Sequence, residues 1–308
     1  MAETISVGAA VGSGFGLIRR KPLAVLAWSL VVTLALGVVV VAYVNFITNM
    51  MALPTTQGAG AQLSPSQSSA VIGAMLMGEG MIFLAFMVLV LGQTIVTTAV
   101  WRAVLHPEQG RWAYLRVGMA ELFVFAIKIA VGFMANLVMF PLMPFMIVVG
   151  VLLAMHQYVA AIIVGVLAII VLVVALIYIQ LRFVLLGPMI VDDGKFHFLE
   201  AWRLSRGKVG SLFLTGLSVF GILLAAEVLL EVLAAGSGAA VLYLAAGGFD
   251  KLQALFQQPP AVIAGKLWPL GVIWMLGAFL CVGPLSAIMI APWAKAYRDL
   301  APTPTAVG

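Results

Sequence analysis

Charge is scarce in this chain. Asp, Glu, Lys and Arg together make up 9% of its 308 residues, against about 25% in an ordinary globular protein. A soluble fold has too little interior to hide a composition that is 64% hydrophobic, so lipid is the expected solvent. Cysteine is nearly absent. Cys281, inside an apolar run, is the only one, which excludes an internal disulfide and a cysteine zinc cluster. The three histidines, His106, His156 and His197, fall in separate segments, so no metal site is expected. Met75, Met77 and Met81 read as apolar filler in a methionine-rich chain rather than as copper ligands. A phosphate-binding Walker loop, a Gly-x-Ser-x-Gly elbow and a His-Glu-x-x-His helix are all missing. Nothing names an enzyme, and no cofactor is expected.

What is present is apolar and periodic in length. Mean hydropathy is +1.19. A membrane helix needs about 20 apolar residues, and six runs qualify: residues 22–48, 81–104, 121–153, 159–186, 209–235 and 267–293. The first exceeds a signal-peptide core of about 7–15 residues, so it reads as a retained helix. Pro141 and Pro144 should kink the third run, since each removes a backbone donor. The break between the third and fourth is set at Ala154–Tyr158. The alternative ends the third helix at Phe140 and makes the fourth far too long. The predicted class is an all-α polytopic membrane protein. Its six transmembrane helices form three hairpins within one integral domain. An inner-face helix at 4–20 precedes them and a cytoplasmic tail at 294–308 follows.

The net charge is +5 and the pI near 9.5, but the basic residues lie in short segments between apolar runs. That pattern points to membrane lipids as partners and not to nucleic acid. Arg19, Arg20, Lys21, Arg102, Arg111, Arg116, Arg182, Lys195, Arg203, Arg206, Lys208, Lys295 and Arg298 fall on one side. Only Lys251 and Lys266 fall on the other. The positive-inside rule therefore puts both termini in the cytoplasm. The first outer loop, Pro54 to Ser69, has little to bury and reads as mobile. The last outer loop carries Asp250 and Gln253 in capping-box spacing, with Leu252, Leu255 and Phe256 on one face and Pro259-Pro260 as a stop. This predicts a short helix on the outer leaflet.

Each inner segment before an odd-numbered helix shows an aromatic followed by Arg at i+4: Phe15 and Arg19, Trp112 and Arg116, Trp202 and Arg206. On a helix each pair shares a face, with the ring at headgroup level and the Arg on phosphate. Two origins fit: a threefold internal repeat, or the general habit of inner boundaries to collect aromatics and Arg. Next in the chain come Gly187-Pro188-Met189-Ile190-Val191-Asp192-Asp193-Gly194-Lys195-Phe196 and Glu200-Ala201-Trp202-Arg203-Leu204-Ser205-Arg206-Gly207. These resemble the signature loop of the membrane domain of bacterial glycerophosphoryl diester phosphodiesterases and their stand-alone YciC-like relatives. That family shows Pro-x-Ile/Val-acidic-x-Gly, then Ala-x-x-x-Ser-x-x-Leu. Arg-Leu-Ser-Arg only approximates the second half. The resemblance implies a bacterial inner-membrane protein and supplies no catalytic residues. No polar domain remains to form the soluble phosphodiesterase barrel.

Ionisable groups within apolar runs are the remaining candidates. Glu227 and Glu231, at i and i+4, could bind a cation or relay protons. Equally, Glu231 can reach the outer interface while Glu227 faces a neighbouring helix. Lys128 lies about 10 Å along the third helix and can snorkel to phosphate. These three are the ion or substrate pathway candidates. Arg19, Trp112, Arg116, Asp192, Asp193, Trp202 and Arg206 are the lipid-headgroup or partner candidates. Asp193-Gly194 reads as a turn. The function expected is a non-enzymatic, lipid-facing or envelope-maintenance role, with a small-molecule or ion transporter using Glu227 and Glu231 as the alternative.

Overall fold

The computed structural model describes residues 5–51, 64–137 and 139–301. Among them it contains helices and turns and no strand. The helices are α1 (Val7–Arg20), α2 (Pro22–Met51), α3 (Pro65–Leu105), α4 (Met119–Leu137), α5 (Met139–Ala154), α6 (Tyr158–Phe183), α7 (Leu186–Asp193), α8 (Phe198–Leu204), α9 (Val209–Ala246), α10 (Leu252–Phe256) and α11 (Pro260–Leu300). Five stretches among the described residues are long and apolar enough to cross a membrane: Pro22–Met50, Val71–Leu105, Tyr158–Asp193, Val209–Ala246 and Gly265–Leu300. The expected third run, 121–153, falls on α4 and α5. The residue between them, 138, lies outside the described residues. Pro144 lies inside α5.

Several helices overrun their expected ends. Residues 65–80 are helical rather than loop, as are 236–246, 260–266 and 294–300. Bilayer thickness sets only a minimum length, and a helix continues until a breaker stops it. For α9 the breaker is Gly247-Gly248, both at positive φ, whose amides return to the Tyr243 carbonyl at 2.9 and 3.1 Å. Pro260 opens α11, where its missing amide costs nothing. The expected outer helix is a single turn, Phe249–Lys251, followed by the five residues of α10. The N-cap of α10 is Lys251, with no capping side-chain bond, so the Asp250–Gln253 capping box does not form. Most of the first outer loop (52–63), the end of the expected tail (302–308) and Thr4 lie outside the described residues. The chain does break at Ala154–Tyr158: His156 adopts φ 59 and the Gln157 amide returns to the Leu152 carbonyl at 2.8 Å.

The chain forms two compact units. The first comprises Met1–Arg19, Thr97–Phe220 and Ala287–Gly308. In it, α1 buries Ala10, Gly14 and Leu17 while Phe15 and Arg19 stay exposed. A Cβ on Gly14 would lie 2.7 Å from the Ile288 Cα, so only glycine permits this approach to α11. Trp101 covers Gly187 of α7, and its indole donates to the Ile290 carbonyl at 3.3 Å. The second unit comprises Arg20–Val96 and Gly221–Ser286. One close seam joins α2 to α11, where the fully buried Ser29 hydroxyl accepts the Gly283 amide at 2.9 Å.

Candidate functional site

Most of the partnered polar side chains gather in the first unit. Arg102 at the end of α3 forms an ion pair with Glu121 in the first turn of α4, and their side chains are 8% and 3% exposed. Both Glu121 oxygens are buried and have no hydrogen bond of ordinary geometry, so among the described residues the Arg102 charge is their sole polar partner. Lys128 sits two turns further along α4 and donates to Thr97 on α3 at 2.9 Å. Moving forward on α4 means moving back on α3, as an antiparallel hairpin requires. Lys128 therefore reaches a hydroxyl on the neighbouring helix.

The connection between α3 and α4 is not the aromatic-x-x-x-Arg helix expected. Trp112, Ala113 and Tyr114 all adopt left-handed backbone, with φ of 52, 56 and 63. Each such residue costs about 1–2 kcal/mol, so the surroundings must hold the turn. Tyr114 is 1% exposed. Its hydroxyl donates to the Pro107 carbonyl at 2.9 Å, and its own carbonyl accepts Arg102 Nη1 at 3.4 Å. Fixing Tyr114 inward turns Trp112 outward, leaving it 85% exposed. Arg116 is exposed and donates to the Gln109 side chain at 3.3 Å.

The Asp192–Gly194 segment forms a junction. Asp192 Oδ2 accepts the Tyr297 hydroxyl at 2.9 Å, and Oδ1 lies 3.1 Å from His106 Nε2. Arg298 Nη1 donates to the Val104 carbonyl at 3.0 Å. One carboxylate thereby ties α7 to the ends of α3 and α11. Asp193 makes the expected turn: its Oδ1 accepts the Lys195 amide at 2.9 Å, and Gly194 caps α7 at φ 72. His197 bridges Asp193 and Glu200 at 2.7 and 3.1 Å. Glu200 thus pairs with His197; no ion pair joins it to Arg203.

Beside this junction lies an aromatic group. The Arg182 guanidinium sits 4.4 Å from the Trp202 ring centre and donates to the Tyr178 hydroxyl at 2.9 and 3.1 Å. Phe183 stacks on Phe198 at 4.4 Å. Trp202 lies within α8, whereas the exposed Arg206 falls beyond its end at Leu204. The i,i+4 pairing therefore holds on one continuous helix only for Phe15 and Arg19.

Glu227 and Glu231 belong to the second unit, on exposed positions of α9. Neither forms a hydrogen bond or ion pair among the described residues. No cluster of metal-ligating side chains occurs among the described residues. No ready signal in the sequence marks His106, Glu121 or Tyr297. Each matters through a partner distant along the chain or across a hairpin, and apolar periodicity carries no such register. Comparison with family models, with curated proteins and with solved structures finds no match to this chain.

Proposed function

We propose that this chain is a non-enzymatic bacterial inner-membrane protein. Six helical crossings place both termini in the cytoplasm, and the polar ends of the first unit rest in the anionic headgroup layer. The apolar stretches of α3, α6 and α9 support the bilayer setting, for each is only 6% buried. Water does not tolerate apolar faces of that extent. Together α4 and α5 make the remaining crossing. The basic asymmetry along the sequence supports the direction.

The observation that carries the lipid role is the outward Trp112, 85% exposed, flanked by exposed Arg111 and Arg116. A left-handed turn that costs free energy holds an indole and two cations away from the protein body. This combination suits a membrane interface, where the ring lies among headgroups and Arg contacts phosphate. The Gly187–Phe196 segment, with its resemblance to phosphodiesterase membrane domains, supports the bacterial inner-membrane setting. The test is phospholipid retained by purified protein after Arg116→Gln with Arg206→Gln. The reading expects a clear fall in bound anionic lipid; unchanged retention removes it.

A further inference from the structure

An apolar groove of about 380 Å³ lies between α5 and α6, lined among the described residues by Phe145, Val164, Leu167, Ala168, Val171 and Ala175 with Leu172. Its α6 side follows a single stripe. Val164, Ala168, Val171 and Ala175 recur at alternating four- and three-residue steps, the spacing of one helix face. The same steps continue to Tyr178 and then Arg182. The apolar stripe therefore ends in a hydroxyl and a cation. Helical side chains lean toward the N-terminus of their helix, and the Arg182 guanidinium does so, bonding back to Tyr178.

Arg182 is held but not neutralised. Its bonds go to the Tyr178 hydroxyl and, at 3.3 Å, to the Trp202 carbonyl, with the Trp202 ring against its plane. No carboxylate lies within ion-pair distance of it among the described residues. A guanidinium carries five N–H donors, and these contacts occupy three. The remaining two match the fork that Arg presents to phosphate. Arg203 and Arg206 stand exposed just beyond and add positive charge without an acidic partner among the described residues.

We infer that this groove and Arg182 form one binding site for an anionic phospholipid drawn from the bilayer, its phosphate on the free N–H groups and an acyl chain along the stripe. From Arg182 to Val171 is about 16 Å at 1.5 Å per residue. One leaflet is about half of a 30 Å hydrocarbon core, so a chain anchored at Arg182 ends among the groove residues. The inference rests on the membrane reading above and assigns a discrete site within it.

The test uses the full chain in detergent with phosphatidylglycerol or phosphatidylcholine of identical acyl chains, and counts bound lipid by native mass spectrometry. Wild type should retain phosphatidylglycerol in preference. Arg182→Gln should weaken that retention about tenfold, the loss of a charge-assisted pair, and weaken phosphatidylcholine, whose phosphate carries a compensating choline, by less. Ala175→Trp fills the groove and should weaken both. Val173→Trp, on the opposite face of α6, should weaken neither. Equal retention in Ala175→Trp and wild type overturns the site, as does equal loss in Val173→Trp. The Ala175 and Val173 pair decides the matter even if Arg182→Gln does not fold. Ala175→Trp leaves Arg116 and Arg206 in place, so failure of the groove is distinguishable from failure of the headgroup reading.

Discussion

Tyr297, near the end of α11, donates its hydroxyl to Asp192, 105 residues earlier in the chain. The same carboxylate meets His106 of the α3 end, so Asp192 is the common point of three segments. Tyr297→Phe should cost about 1 kcal/mol of unfolding free energy, the net worth of a partly exposed hydrogen bond. Asp192→Asn should cost more, since it also weakens the His106 contact. In the double variant the loss should be less than the sum of the two singles, as coupled sites require. Chemical unfolding in detergent measures all three.

Arg102 and Glu121 make a sharper case. Breaking one side of a buried ion pair leaves a charge without a partner, at about 3–5 kcal/mol. Glu121→Leu alone should therefore destabilise strongly. Arg102→Met combined with Glu121→Leu should recover much of the loss, short of whatever Arg102 supplies through the Tyr114 carbonyl. A double variant worse than either single would contradict the pairing.

These two contacts show where the sequence is informative. The apolar runs announce their helices because lipid demands continuous hydrophobicity, and the polar residues around His156 locate a turn within a nearly unbroken stretch. Asp193-Gly194 reads correctly because a turn is decided locally. Arg102 reads as one more inner charge because the sequence does not reveal that Glu121 lies across the hairpin. The helix overruns at 65–80 and 236–246 are illegible for another reason: hydropathy marks what suits lipid, and helices end at breakers. The Trp112 turn misleads most, since aromatic-x-x-x-Arg spacing describes a helix face only where the backbone is helical.

Gly14 supplies a third prediction. Gly14→Leu forces bulk against the α11 backbone, and overpacking of this kind costs about 1–3 kcal/mol. Residues 7–20 should then lose protection in hydrogen exchange. Gly12→Ala, where no atom lies within 4 Å of the added Cβ, should leave that protection intact or raise it through helix propensity.

Glu227 and Glu231 offer a fourth. Exposed and without partners among the described residues, they should tolerate Glu→Gln substitution with no shift of the unfolding midpoint. In reconstituted vesicles, Glu227→Gln should likewise leave ion and small-molecule uptake at the wild-type level across pH. A pH-dependent flux lost in Glu227→Gln would favour transport over the lipid role.

The sidedness of the chain is tested most directly by cysteine labelling. On a Cys281→Ala background, single cysteines replace Gln253, Arg111 and Lys195, all exposed. Intact spheroplasts are treated with a membrane-impermeant maleimide. The account predicts that Gln253→Cys is labelled at once, whereas Arg111→Cys and Lys195→Cys are labelled only after permeabilisation. Labelling of either of the latter in intact spheroplasts, or protection of Gln253→Cys, would contradict it.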